Sequence, residues 1–324
     1  MKAKTVKRGD LAVKIIIGVL CAFLIIYTLS ILFMLLWGLL SSLKSGMDFK
    51  ANRLGLPKLN DPSWPKGIDD PRSSYYTLFR LKNYVDVINN FSYDTKTSYF
   101  IGTTEVGVSS SDTFISMFLN SLLYSLGNGL VQALFPAIMA YMCAKYPYKF
   151  SKIIYMVVLV VMTLPIVGAY PSELRVLRNL GLYNTWYGNF IQRCSFLGMY
   201  FLVFYEFFKS MPDTYSEAAD IDGASQFTIM VGIYMPLAIK MIGSVFLIRF
   251  IFFWNDFASI ELYMPTHPTL AYFIYVINVG AVYKSATDPT KIAACMILAV
   301  PTIILFLLLH NRLMGSMTLG GIKG

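Results

Sequence analysis

The sequence predicts an all-α integral membrane protein of six transmembrane helices, on three observations. Hydrophobic residues make up 56% of the chain and charged residues 14%, against about a quarter charged in an ordinary soluble domain. The apolar residues gather into runs near the roughly 20 residues that cross a bilayer. Many basic residues sit beside those runs, where topology signals lie, and not on one soluble face. The net charge of +9 therefore speaks for membrane orientation and against nucleic acid as a partner.

The N-terminal stretch MKAKTVKRGDLAVK is basic and precedes a run from Ile15 to Leu40. That run is too long for the apolar core of a signal peptide and lacks an A-x-A cleavage pattern. It is expected to be a retained first span that starts in the cytoplasm. From Ser41 to about Asp112 the chain turns polar, with balanced charge, and is expected outside. Within it TLFRLKNYVDVINNF has the pattern of a short amphipathic helix. The second span is expected from Phe114 to Cys143, followed by the short basic loop KYPYKFSK in the cytoplasm.

The third span is expected from Ile153 to Tyr170, then an outer loop rich in aromatic residues. A fourth, shorter span covers Cys194 to Phe208, a fifth Phe227 to Trp254 and a sixth Ile292 to His310. Between the fifth and sixth lies an outer, partly apolar segment. Pro136, Pro165, Pro236 and Pro301 fall within or at the edge of spans, which favours a bent bundle over a straight anchor. The organisation is thus 1–40 for the N-terminus and first span, 41–113 outside, 114–311 for a core of five spans, and 312–324 as a cytoplasmic tail.

Several chemistries are excluded. No G-x-x-x-x-G-K-[ST], H-E-x-x-H or G-x-S-x-G occurs, so neither a nucleotide P-loop nor those hydrolytic sites is present in the sequence. Cys21, Cys143, Cys194 and Cys295 are widely separated and suggest neither metal site nor disulfide framework. No internal repeat marks a repeat-built carrier. Acidic residues within spans are scarce, Glu206 being the clearest, which argues against proton or sodium coupling; Glu206 and Arg249 keep that alternative open.

The stretch SEAADIDGASQFTIMVGIYMP, Ser216 to Pro236, interrupts the fourth and fifth spans on the cytoplasmic side. Pro212 and Asp213 suit a helix start, Asp213 as a cap. Asp213, Glu217 and Asp220 share one helical face, and Tyr215, Ala218 and Ala219 another. Gly223 suits the helix stop. So short a helix needs something to pack on, and its acidic face fits a protein partner better than anionic lipid.

The spacing E-A-A, three residues, G, nine residues, I-x-x-P is met by Glu217, Ala218, Ala219, Gly223, Ile233 and Pro236. This resembles the EAA loop of membrane subunits of binding-protein-dependent ABC importers, with Met235 where leucine is usual. EAADIDGAS is similar to the carbohydrate branch, in particular the maltose-type permease of the MalG-like kind. Asn83-Tyr84, Asn120-Ser121, Ala140-Tyr141, Leu180 to Thr185 (LGLYNT), Trp254 to Phe257 (WNDF), Thr269-Leu270, Pro301 and the terminal GGIKG continue the likeness in order.

The resemblance implies the type I ABC importer permease fold in a bacterial cytoplasmic membrane, with both termini inside. It implies a non-enzymatic subunit that imports a sugar or oligosaccharide with a second permease, an ATPase dimer and an extracytoplasmic solute-binding protein. No cofactor is expected on this chain, ATP being bound by the partner ATPase. Glu217, Ala218, Ala219, Asp220, Asp222 and Gly223 would form the coupling helix against the ATPase, and Gly320, Gly321, Ile322, Lys323 and Gly324 a tail that reaches it. Asn120, Asn255 and Asp256 are candidates for the solute pathway, although a span cap or helix–helix hydrogen bond is the preferred reading of each. An importer for a non-sugar solute and an ion-coupled secondary carrier stand as alternatives. The segment 41–113 is longer than the family pattern.

Overall fold

Helix formation follows the apolar runs. The structure, a computed structural model, describes residues 8–57, 81–101, 104–146, 148–164, 168–279 and 286–317. Among these, four helices are long and apolar enough to cross a membrane: Val13–Ser42, Phe114–Lys145, Gln226–Trp254 and Asp288–Leu308. The expected third and fourth spans are shorter helices, α5 (Lys149–Thr163) and α8 (Met199–Ser210). Leu164, which precedes Pro165, is already extended (ψ 122°), as steric conflict with a following proline ring requires.

The chain divides into two compact units, Met1–Asn90 with Tyr283–Ile297, and Phe91–Val282 with Leu298–Gly324. In the first, α1 (Arg8–Ser42) leaves its apolar side chains exposed through the span. Its end is tied down by polar bonds. Ser45 caps α2 (Gly46–Ala51), accepting from the Asp48 amide. The Lys44 ammonium is 1% exposed and donates to the Asn52 carbonyl at 2.7 Å. Burial pushes its pKa below the usual lysine range, with the Asp48 charge pulling the other way. Asn83, on α3 (Lys82–Asn90), donates to the carbonyls of Ser42 and Lys44. The expected amphipathic helix in this region is α3.

The second unit corrects the all-α expectation. Ser92–Ile101 (β1) and Thr104–Thr113 (β2) pair antiparallel, from Ser92 opposite Thr113 to Ile101 opposite Thr104. Thr113 then caps α4 (Phe114–Lys145), the central helix, which packs on α8 and on α11 (Met235–Trp254). One apolar cluster joins Ala133, Ala137 and Tyr141 of α4 to Phe201, Phe204 and Phe208 of α8 and Ala238 and Ile242 of α11. A second, towards the Phe114 end of α4, joins Tyr124 to Phe253, Tyr263 and Tyr272.

At that end lie α6 (Tyr170–Asn179), α7 (Trp186–Arg193), α12 (Ala258–Tyr263) and α13 (Leu270–Val279). Several of the ordered motif residues are its fasteners. The Asn184 amide donates to the Tyr263 carbonyl, its side chain accepts from Thr266, and the Leu270 amide donates to Ser121. The remaining helices are α9 (Thr214–Ile221), α10 (Gln226–Ile229) and α14 (Asp288–Met317). A π-helical segment, Met230–Tyr234, links α10 to α11. Pro236, at the start of α11, explains that segment: it has no N–H to donate and its ring crowds the carbonyl four residues back.

Candidate functional site

The EAA stretch forms α9, eight residues between the end of α8 and the start of α10. The expected cap is corrected. Asp213 has αR geometry and makes no side-chain bond to the helix amides. Its carboxylate instead accepts from Lys145 Nζ at 2.7 Å, and the same ammonium donates to the Met211 carbonyl at 2.6 Å. Lys145 is the last residue of α4, its side chain 7% exposed, and it sits 5.1 Å from the Tyr234 ring centre. A cation here also compensates the carbonyl end of the α4 dipole.

The helix stop follows expectation. Gly223 has φ +75°, its amide donates to Asp220, and the Ala224 amide donates to Ala219. These two bonds make a Schellman ending, which needs the left-handed residue that glycine adopts without Cβ strain. Ser225 then caps α10.

One side of the helix turns to the bundle. Ser216, Ala219 and Ala224 turn inward, while Tyr215 and Ala218 are exposed. The reason is the anchor: Tyr234 Oη, fully buried, donates to Ser216 Oγ, which rotates that side of α9 onto the bundle. Gln226 Nε2 donates to Asp220 and its carbonyl oxygen accepts from Tyr146 Oη. Lys145, Tyr146, Gln226 and Tyr234 thus bind α9 to the ends of both α4 and α11. Sequence reasoning misses all four, although Lys145 and Tyr146 open the basic loop KYPYKFSK.

What remains open is a mixed surface. Tyr215 (48%), Ile221 (86%) and Phe227 (69%) are exposed beside the exposed Glu217 and Asp222. An apolar group with acidic neighbours, spread over α9 and the start of α10, suits a protein cleft with a basic rim.

The other predicted residues lie elsewhere. Asn120 donates to the Pro268 carbonyl and Asn255 to the Ile251 carbonyl. Asp256 accepts from Tyr124 and from the Ser259 amide at the start of α12. Asn120 and Asp256 therefore tie α4 to later segments at the end opposite α9, while Asn255 bonds back within the last turn of α11. Gly320 to Gly324 lie outside the described residues. Among the described residues no group of three or more His, Cys, Asp or Glu could hold a metal ion.

Comparison with known proteins decides the family. The binding-protein-dependent transport system inner membrane component family matches residues 113–317. The chain belongs to that family. Among similar members, the diacetylchitobiose uptake system permease protein of Streptomyces coelicolor is 28% identical over 63% of this chain and 68% of its own. The trehalose transport system permease protein of Mycobacterium tuberculosis is 24% identical over 67% of this chain and 80% of its own. In fold, the chain is similar to a bacterial ABC transporter involved in import of the acidic polysaccharide alginate. That match has a TM-score of 0.65 and 19% identity over 94% of this chain and 98% of the other. The family region begins at the cap of α4 and takes in α9, so this is an importer's membrane component.

Proposed function

We propose that this permease carries a sugar or oligosaccharide across the bacterial cytoplasmic membrane, and that α9 is its coupling helix. The observation that carries the reading is the double anchoring of α9 beneath an open apolar and acidic face. ATP binding would close a dimer of separate ATPase subunits around that face. Movement of α9 would then pass through Lys145 to α4, and through Gln226 and Tyr234 to α10 and α11. The permease supplies differential contacts with the two states and no chemistry of its own. A second permease would complete the pathway, and a solute-binding protein would deliver the cargo. Asn255 and Asp256 would border its outer mouth, with Asn120 holding it open. The tail Gly320 to Gly324 would reach the ATPase pair.

The same reading expects six crossings with both termini inside, α5 and α8 completing the four longer spans. The sugar assignment rests on the similar permeases, whose names speak of saccharides: diacetylchitobiose, trehalose and, in a 24%-identical Bacillus subtilis protein, melibiose, raffinose and stachyose. The test replaces Glu217 with Lys and Ile221 with Asp, then measures ATPase copurification and sugar-stimulated ATP hydrolysis. Both should fall; normal values for both would end the coupling role. Uptake by the chain alone, driven by an ion gradient, would favour a secondary carrier instead.

A further inference from the structure

The second unit holds a guanidinium that the coupling reading does not use. Arg249 lies on α11, five residues before Trp254, or ~7.5 Å along the axis. It is partly buried, its Nε is buried without a hydrogen-bond partner, and no carboxylate among the described residues is within salt-bridge reach. Two aromatic rings hold it, with the guanidinium carbon 4.8 Å from the Tyr200 ring centre and 5.7 Å from that of Phe252. Such contacts take up the flat face of a guanidinium and leave its edge of N–H donors for a planar anionic group.

The surroundings at this level are polar as well. A Cβ on Gly129 of α4 would come within 3.4 Å of the Phe250 amide nitrogen, so α4 and α11 touch beside Arg249. Asn128, the preceding residue of α4, is fully buried; its Oδ1 accepts from Asn189 at 3.0 Å and its Nδ2 has no partner. One turn on, the Oε1 of Gln132 is also buried without a partner. Polar groups inside a membrane bundle are costly unless something satisfies them; Asn128 and Gln132 flank the Gly129 contact on α4, and Arg249 adjoins the same contact on α11.

We infer that Arg249 is an anion-recognising subsite of the solute pathway, selecting sugars that bear a carboxylate or sulfonate, with Asn128 and Gln132 serving neighbouring hydroxyl groups. The inference rests on the importer reading.

The test uses the whole complex in proteoliposomes, with ATP, and a panel of size-matched neutral and uronate-bearing di- and trisaccharides. The unaltered complex should favour the acidic members. R249Q should lower the acidic-to-neutral uptake ratio about tenfold, the scale of one lost charge-assisted hydrogen bond, and R249K should restore part of it. An unchanged ratio in R249Q, or preference for neutral sugars in the unaltered complex, would overturn the inference. So would loss of the second permease on copurification of R249Q, which would make Arg249 one half of a subunit ion pair. A second readout is independent of cargo: R249C, in a chain freed of its native cysteines, should react with a water-borne anionic thiol reagent. No reaction in any nucleotide state would also overturn it. ATP-independent uptake would defeat the importer reading; ATP-driven uptake that ignores charge would defeat only the subsite.

Discussion

At Gly223 and Gly188 two glycines are required for different reasons, and their alanine variants should separate them. Gly223 has φ +75° and open space where a Cβ would stand, so only backbone strain opposes a side chain. Gly223→Ala should cost about 1–2 kcal/mol at the end of α9 and lower ATP-coupled uptake more than global stability. At Gly188 a Cβ would run into the Leu182 carbonyl, so Gly188→Ala should destabilise the whole chain by about 1–3 kcal/mol, read as a lower denaturation midpoint. Only the first position was legible in the sequence, because a left-handed helix stop has a motif, whereas a close backbone approach depends on residues brought together by folding. His267 offers a pH readout at the same scale. Burial lowers its pKa from the usual 6.5, with the Asp112 charge opposing, so the unfolded chain binds the extra proton more readily. Stability therefore rises with pH through the window from the lowered value to about 6.5 and falls on acidification. The ring lies edge-on to Trp186, 5.2 Å between centres. The indole fluorescence should therefore change on acidification below that window in the native chain and not in His267→Gln; matching profiles would remove the assignment.

Elements differ in how openly the sequence announces them. The long spans were legible because apolar runs of membrane length have few other uses, and α9 because its small residues and stop glycine break one. The hairpin was not. Its strands are rich in Ser, Thr and Asp, as in TEVGVSSSDT, so no apolar alternation sets them apart from a loop, even though Thr and Tyr favour strands. Which side of α9 turns inward was not legible for a related reason: its orientation is fixed by Ser216 and Tyr234, eighteen residues apart, and not by its own pattern. That dependence makes the Lys145 anchor testable. Lys145→Gln removes a charge-assisted link to Asp213, which is largely exposed, so about 1–2 kcal/mol is at stake. The expected result is an ATPase that still copurifies but whose hydrolysis responds less to solute. Full retention of that response would show that α9 transmits through α10 and α11 alone.

At the scale of the bundle, the short helices decide the topology. With 15 and 12 residues, α5 and α8 are ~22 and ~18 Å long, against a hydrocarbon layer of about 30 Å. If both cross, or neither does, α9 lies on the same side, so the position of the coupling helix cannot distinguish the cases. The segment between them can. Asn184 and Thr185 sit in that segment, and Asn184 bonds to Tyr263 and Thr266, beyond the Trp254 end of α11, whereas α9 is held at the Lys145 end of α4. The chain therefore runs towards the Trp254 end through α5 and returns through α8. Cys194, at the end of α7, is free and exposed, and provides the probe. A membrane-impermeant maleimide should label it in intact cells, and Cys194→Ser should abolish that label. Labelling only after permeabilisation would place α6 and α7 in the cytoplasm and leave four crossings in place of the six expected.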